Sequence, residues 1–94
     1  MSEAKKADAN QAEIVDALRK CGYQLDLTFR FGHGFPDLMV QAKTNAIVLL
    51  EVKSAKAKLT PPERAFFERW FGSPVHIVRS AEQAIDVMQK EDEK

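Results

Sequence analysis

Apolar residues at Ile14, Ala17, Leu18 and Cys21 follow the i, i+3, i+4, i+7 spacing of a helix that buries one stripe, which predicts a helix from about Asn10 to Cys21. Gly22 follows where the residue after a helix end belongs. In residues 23–31, Leu25, Leu27, Phe29 and Phe31 alternate with Gln24, Asp26, Thr28 and Arg30, and that period of two predicts a half-buried strand. Two glycines and a proline in Gly32-His33-Gly34-Phe35-Pro36 then break the chain into a loop. Residues 37–42 and 46–53, separated by Lys43-Thr44-Asn45, read as a β-hairpin. The second of these strands is apolar on both faces, Ile47 and Leu49 on one and Val48, Leu50 and Val52 on the other, which places it mid-sheet.

Thr60-Pro61-Pro62-Glu63 is a capping box, with Thr60 as N-cap, prolines in the first turn and Glu63 three residues on. The helix it opens carries Phe66, Phe67, Trp70 and Phe71 on one face and ends at Gly72, with Phe66, Phe67 and Trp70 read as core or dimer interface. Val75-His76-Ile77-Val78 reads as a short strand in which His76 is structural. Ser80 and Gln83 form a second candidate box before a last helix with Ala84, Ile85 and Met88. The order is helix, three strands, helix, strand, helix. Short connections make the first strands antiparallel, and the strand–helix–strand crossover makes the last pairing parallel and right-handed. The expected fold is α/β, a mixed four-stranded sheet flanked by helices.

A chain of 94 residues bounds the answer to a single domain spanning 1–94, with residues 1–9 and 89–94 expected as frayed tails. The start of the chain lacks the apolar stretch of a signal peptide, and no apolar run approaches the roughly 20 residues of a membrane helix. Cys21 has no partner for a disulfide or a Cys/His zinc site, so it reads as a small apolar helix residue. These features suit a cytoplasmic compartment. Fourteen basic and fourteen acidic residues cancel, so net charge gives no argument for nucleic acid. The distribution says more: between Lys53 and Arg79 there are six basic residues (Lys53, Lys56, Lys58, Arg64, Arg69, Arg79) against Glu63 and Glu68.

The chemically informative feature is Asp37, followed fourteen residues later by Glu51-Val52-Lys53. Residues two apart on a strand share a face, so Glu51 and Lys53 point the same way. Asp37 joins them only if the hairpin loop is odd in length: a three-residue loop pairs Ala42 with Ala46 and sets Asp37 opposite Glu51, whereas a two-residue loop turns it to the other face. Adjacent carboxylates repel, and a divalent cation relieves the repulsion; oxygen ligands favour Mg²⁺ or Mn²⁺. A metal-bound water is more acidic, and a lysine beside it can orient it or stabilise charge on a phosphate. The three side chains are thus the minimal parts for metal-assisted phosphodiester hydrolysis. A Glu-x-Lys at a strand end is by itself usually two solvated charges. Here it ends an apolar strand, and Pro36-Asp37 follows a glycine-rich loop that a phosphate backbone can approach.

Phe35-Pro36-Asp37, then Leu49-Leu50-Glu51-Val52-Lys53, with Glu13 on an upstream helix, resembles the PD-(D/E)XK nuclease superfamily. The longer runs GFPDLMV, VLLEVKSAKAKLTPPE and VHIVRSAEQAI resemble the VRR-NUC family in its minimal stand-alone, phage or prophage form, over roughly Gln11 to Met88. The resemblance implies the restriction-endonuclease-like αβββαβα core and a homodimeric, Mg²⁺- or Mn²⁺-dependent endonuclease acting on branched DNA such as four-way junctions. It makes Asp37 and Glu51 metal ligands, with the Val52 carbonyl a third. Lys53 would act on the attacking water or the scissile phosphate, and Glu13 as a second-sphere or second-metal carboxylate or as an ordinary exposed charge. Arg30, His33, Lys56 and Lys58 are candidate DNA contacts, although a loop histidine is more often simply exposed. The family commonly has Gln shortly after the Leu-Thr-Pro segment, where this chain has Glu63; capping explains Glu63 without catalysis, and a place in the site remains the alternative. An accessory DNA-binding protein that keeps the fold without turnover is the competing function, and a pure interaction module is a third.

Overall fold

Ile14, Val15 and Leu18 form the buried stripe of α1 (Gln11–Lys20) in a computed structural model that describes residues 10–94. The expected tail over residues 1–9 lies outside the described residues. Then follow β1 (Gln24–Leu27), a 3-10 turn (Phe29–Phe31), β2 (Leu38–Gln41), β3 (Ile47–Val52), α2 (Pro61–Arg69), β4 (Val75–Val78) and α3 (Ala81–Asp92). The sheet order is β1-β2-β3-β4. β1 and β2 pair antiparallel, as do β2 and β3, while β3 and β4 are parallel with α2 as the crossover. The expected mixed α/β sheet is therefore the observed one. No helix among the described residues is long and apolar enough to cross a membrane.

The two faces of the sheet differ in kind. Leu38, Val40, Val48, Leu50, Val52 and Val78 join Ile14, Leu18, Ala84 and Met88 of α1 and α3 in one continuous apolar core. The alternate positions Met39, Leu49 and Glu51 point to the second face. There α2 packs on the glycine-rich loop: Phe66 stacks on Trp70 at 4.7 Å, and Phe35 meets both rings edge-on at 5.2 and 6.1 Å. At Gly34 (φ +80°) an added Cβ would lie 2.1 Å from the Pro62 carbonyl oxygen. Loop and helix start therefore touch backbone to backbone.

Four expectations need correction. The strand predicted over 23–31 stops at Leu27, because Thr28 (φ −113°, ψ 6°) leaves the extended region. Thr28 is buried; its amide donates to the Asp37 carbonyl at 2.8 Å and its hydroxyl to the Pro36 carbonyl at 2.8 Å. Such side-chain-to-backbone bonds compete with the ladder, and a hydropathy pattern does not register them. Cys21 is exposed at the end of α1, where its amide and that of Gly22 close the last turn on the Ala17, Leu18 and Arg19 carbonyls. Phe71 lies beyond the end of α2 and is 89% exposed, because the helix ends at Arg69 with Trp70 already extended.

The fourth concerns residues 89–94, which are not a frayed tail: α3 runs to Asp92. Its last turn is tied down by the Asp92 carboxylate, which accepts from the Tyr23 hydroxyl and, at 2.7 Å, from the Lys43 amide. Glu91, 4% exposed, lies 2.9 Å from His76 Nε2 and 3.2 Å from Lys94 Nζ. Burial alone would raise the Glu91 carboxyl, but hydrogen bonds from His76 and Lys94 outweigh it and hold the group below its ordinary value of 4.5.

Two predictions follow from this packing. Gly34→Ala should destabilise by about 2–4 kcal/mol in urea unfolding, since it adds a backbone clash to a left-handed φ. Gly22→Ala, at φ +91° with nothing within 4 Å of the new Cβ, should cost only the conformational part, about 1–2 kcal/mol. A carboxyl held low in the fold stabilises fully above its unfolded pKa and loses that contribution as pH falls through the folded value. Acid unfolding below pH 4.5 should therefore be less steep in Glu91→Gln than in the native chain, although the variant is weaker at neutral pH.

Candidate active site

The β2–β3 turn decides which charges meet. Ala42 donates to the Ala46 carbonyl at 2.8 Å and Asn45 to the Ala42 carbonyl at 2.9 Å, so the loop is Lys43-Thr44-Asn45. Asn45, at φ 74°, occupies the left-handed position that three-residue hairpins require and that asparagine tolerates. Leu38 then pairs with Leu50, and the next step outward sets Asp37 beside Glu51. Asp37 grips both neighbours of Glu51: its amide donates to the Leu50 carbonyl at 3.0 Å, and its Oδ2 accepts from the Val52 amide at 2.7 Å. The odd-length loop that the chemistry demands is present.

Asp37, Glu51 and Lys53 are all buried, at 2%, 0% and 8% exposed. Lys53 Nζ lies 3.7 Å from Glu51 Oε2 and 2.7 Å from Glu63 Oε1. Glu63, 3% exposed, also completes its capping box, accepting from the Thr60 amide at 2.8 Å while Thr60 Oγ1 accepts from the Glu63 amide at 3.4 Å. The two readings of Glu63 are thus not exclusive: one carboxylate caps α2 and touches the lysine. Among the contacts of the described residues, three carboxylates stand against one ammonium, two negative charges in excess when all are ionised. Such an all-oxygen, net-negative donor set suits a hard divalent cation, for which Asp37, Glu51 and the Val52 backbone are the candidate ligands. Among the described residues, no three His, Cys, Asp or Glu side chains are grouped to hold a metal ion. A cation here would keep several waters, as Mg²⁺ usually does.

The remaining sequence candidates sit around this cluster unequally. Glu13 is exposed in the first turn of α1 and makes no hydrogen bond or ion pair with the described residues. From the same end of the helix, Asn10 instead donates to the Lys53 carbonyl at 3.3 Å and the Arg79 carbonyl at 3.1 Å. Arg30 is exposed, its guanidinium 4.9 Å above the Phe29 ring, and His33 is exposed in the glycine-rich loop. Lys56 and Lys58 are exposed on the loop that follows Lys53. His76, taken as structural, pairs with Glu91 away from the trio.

Arg79 is a residue that pattern reading missed. Its Nη1 donates to the Ser54 carbonyl at 2.7 Å, the Ala57 carbonyl at 2.7 Å and, weakly, the Ala55 carbonyl at 3.5 Å. It thereby fixes the loop that presents Lys56 and Lys58 beside the site. Composition counted Arg79 as part of a basic band, and only the parallel β3–β4 pairing brings it under the loop.

No family model matches the sequence, and no curated protein does. Among solved structures, one titled "VRR_NUC domain" is similar at 23% sequence identity and a TM-score of 0.68, covering 85% of this chain and 95% of that one. The chain therefore has the fold of a VRR_NUC domain, the architecture its motifs led us to expect.

If Arg79 is what orders the loop, Arg79→Met should speed trypsin cleavage after Lys56 and Lys58 in the native protein by tenfold or more, on the scale of losing charge-assisted hydrogen bonds. Cleavage at an unchanged rate would assign the loop's order to other contacts.

Proposed function

We propose that this chain is a VRR-NUC nuclease of the minimal, phage type, an endonuclease that hydrolyses DNA phosphodiester bonds with Mg²⁺ or Mn²⁺. The observation that carries the reading is the burial of Asp37 and Glu51 side by side, with Lys53 against Glu51 where the interior strand β3 ends. Burying like charges together is costly unless a function retains them. Asp37 and Glu51 would hold the cation, which when bound supplies a more acidic water and Lewis-acid charge toward phosphate. Val52 orients Asp37 through its amide, and Lys53 supplies positive charge to the phosphate or its attacking water. Lys56 and Lys58 offer backbone contacts that position the strand without reading sequence.

The resemblance supports a homodimer acting on branched DNA, where twofold symmetry sets two sites on two strands. A core this small is one that pairing with a second copy would reinforce. The second reading, an accessory DNA-binding protein, draws support from the 2.7 Å Lys53–Glu63 pair, which places a carboxylate where phosphate contact is needed.

The test is cleavage of labelled four-way junction, flap and linear duplex DNA with Mg²⁺, Mn²⁺ or EDTA. Native protein should cut only with metal, prefer the junction, and lose at least a hundredfold in rate in Lys53→Ala, as expected when a transition-state charge is removed. Junction binding without cutting by the native protein would favour the accessory role.

A further inference from the structure

Between the Gly32–Phe35 turn and the start of α2 lies a cleft of about 430 Å³, walled by Phe35 and Pro62 and reaching Glu63. Glu63 touches Lys53, so the cleft opens beside the reactive cluster. A helix start next to such a site is ordinarily an anion pocket, because its first amides point at the ligand. Here that capacity is gone. Pro61 and Pro62 have no N–H, the Thr60 and Glu63 amides bond to each other's side chains, and the Arg64 amide bonds to the Thr60 carbonyl. Outward from Phe35, the Phe31 ring stands 5.0 Å away and is 61% exposed, an aromatic surface that the core leaves uncovered. Between them His33 is held at φ 55°, a conformation that penalises residues other than glycine and whose appearance at a loop tip points to use.

An apolar cleft with an aromatic edge and no anion donors at its helix wall suits a flat, uncharged ring. We propose that it receives an unpaired nucleobase, stacked against Phe31 and Phe35 with His33 at the rim, so that DNA is presented at a junction between paired and unpaired strand. This rests on the nuclease reading and specifies its substrate. Aromatic stacking takes any base, so the selection is for unpairing and not for sequence.

The experiment measures binding in Ca²⁺ or EDTA, which separates it from cleavage, by anisotropy of a labelled duplex that is blunt, carries a short single-stranded tail, or carries the same tail with abasic sites. Native protein should bind the tailed duplex about tenfold tighter than the blunt one, the scale of one stacked base. The abasic tail, which keeps its phosphates, should bind like the blunt duplex, and 2-aminopurine in the tail should be quenched. Phe31→Ala with His33→Gly should bring the tailed-to-blunt ratio close to one while the melting temperature holds, since Phe31 is exposed and glycine relieves the left-handed backbone. Equal binding of tailed and blunt DNA overturns the proposal, as does tight binding of the abasic tail or a ratio that survives the double substitution. Metal-dependent cutting of paired DNA without any such preference would remove this inference and leave the nuclease reading standing. Failure to bind any DNA would remove both.

Discussion

The register of one hairpin governs this molecule. Side chains alternate along a strand with a period of two, so a single-residue slip between β2 and β3 would exchange the sheet's apolar and charged faces. Asn45 prevents the slip by accepting a left-handed backbone in a three-residue turn. With that turn in place, Val40, Val48 and Leu50 meet α1 and α3, and Asp37 meets Glu51 on the opposite face. Core and charged cluster are two consequences of one geometric choice.

The cluster carries a desolvation cost that its surroundings work against. Desolvating three carboxylates is unfavourable, and each is met by fixed partners: the Val52 amide for Asp37, Lys53 for Glu51, Lys53 and the Thr60 amide for Glu63. Glu63 makes the start of α2 part of this arrangement, and the contact of Gly34 with Pro62 makes the glycine-rich loop part of it too. Phe35, Phe66 and Trp70 stiffen the same junction from behind. The loop ahead of Asp37 and the helix carrying Glu63 are thus positioned as one unit around Lys53.

The basic band divides by role. Lys53 sits in the cluster, Arg69 lies 4.9 Å over the Phe66 ring, and Arg79 holds backbone carbonyls of the 54–57 loop. Lys56, Lys58 and Arg64 are exposed and make no ion pair with the described residues. Half of the band therefore shapes the site's surroundings, and half is available to a phosphate backbone. At the far end of the sheet, Tyr23, Lys43 and His76 anchor the last turn of α3, closing the core on the side away from the cluster.

Local sequence made the elements and their order legible, and it made the hairpin's parity legible as a condition on the loop length. The spacing of Ile14 and Leu18, the Thr60–Glu63 box, the apolar run of β3 and the three residues Lys43-Thr44-Asn45 are local signals, each read over a few positions, and each is present as expected. They put Glu51 and Lys53 on one face and left Asp37 conditional on an odd-length loop, which the Ala42–Ala46 pairing supplies. What only the tertiary structure decided depends on partners distant along the chain. Thr28 ends β1 because of carbonyls at Pro36 and Asp37, and Arg79 reaches a loop more than twenty residues earlier. Glu63 turns from a cap into a partner of Lys53, and Asp92 is anchored from Tyr23 and Lys43. Periodicity records which side of an element is buried; it carries no information about which polar atoms meet once the elements pack, and that pairing gives this site its charge and its shape.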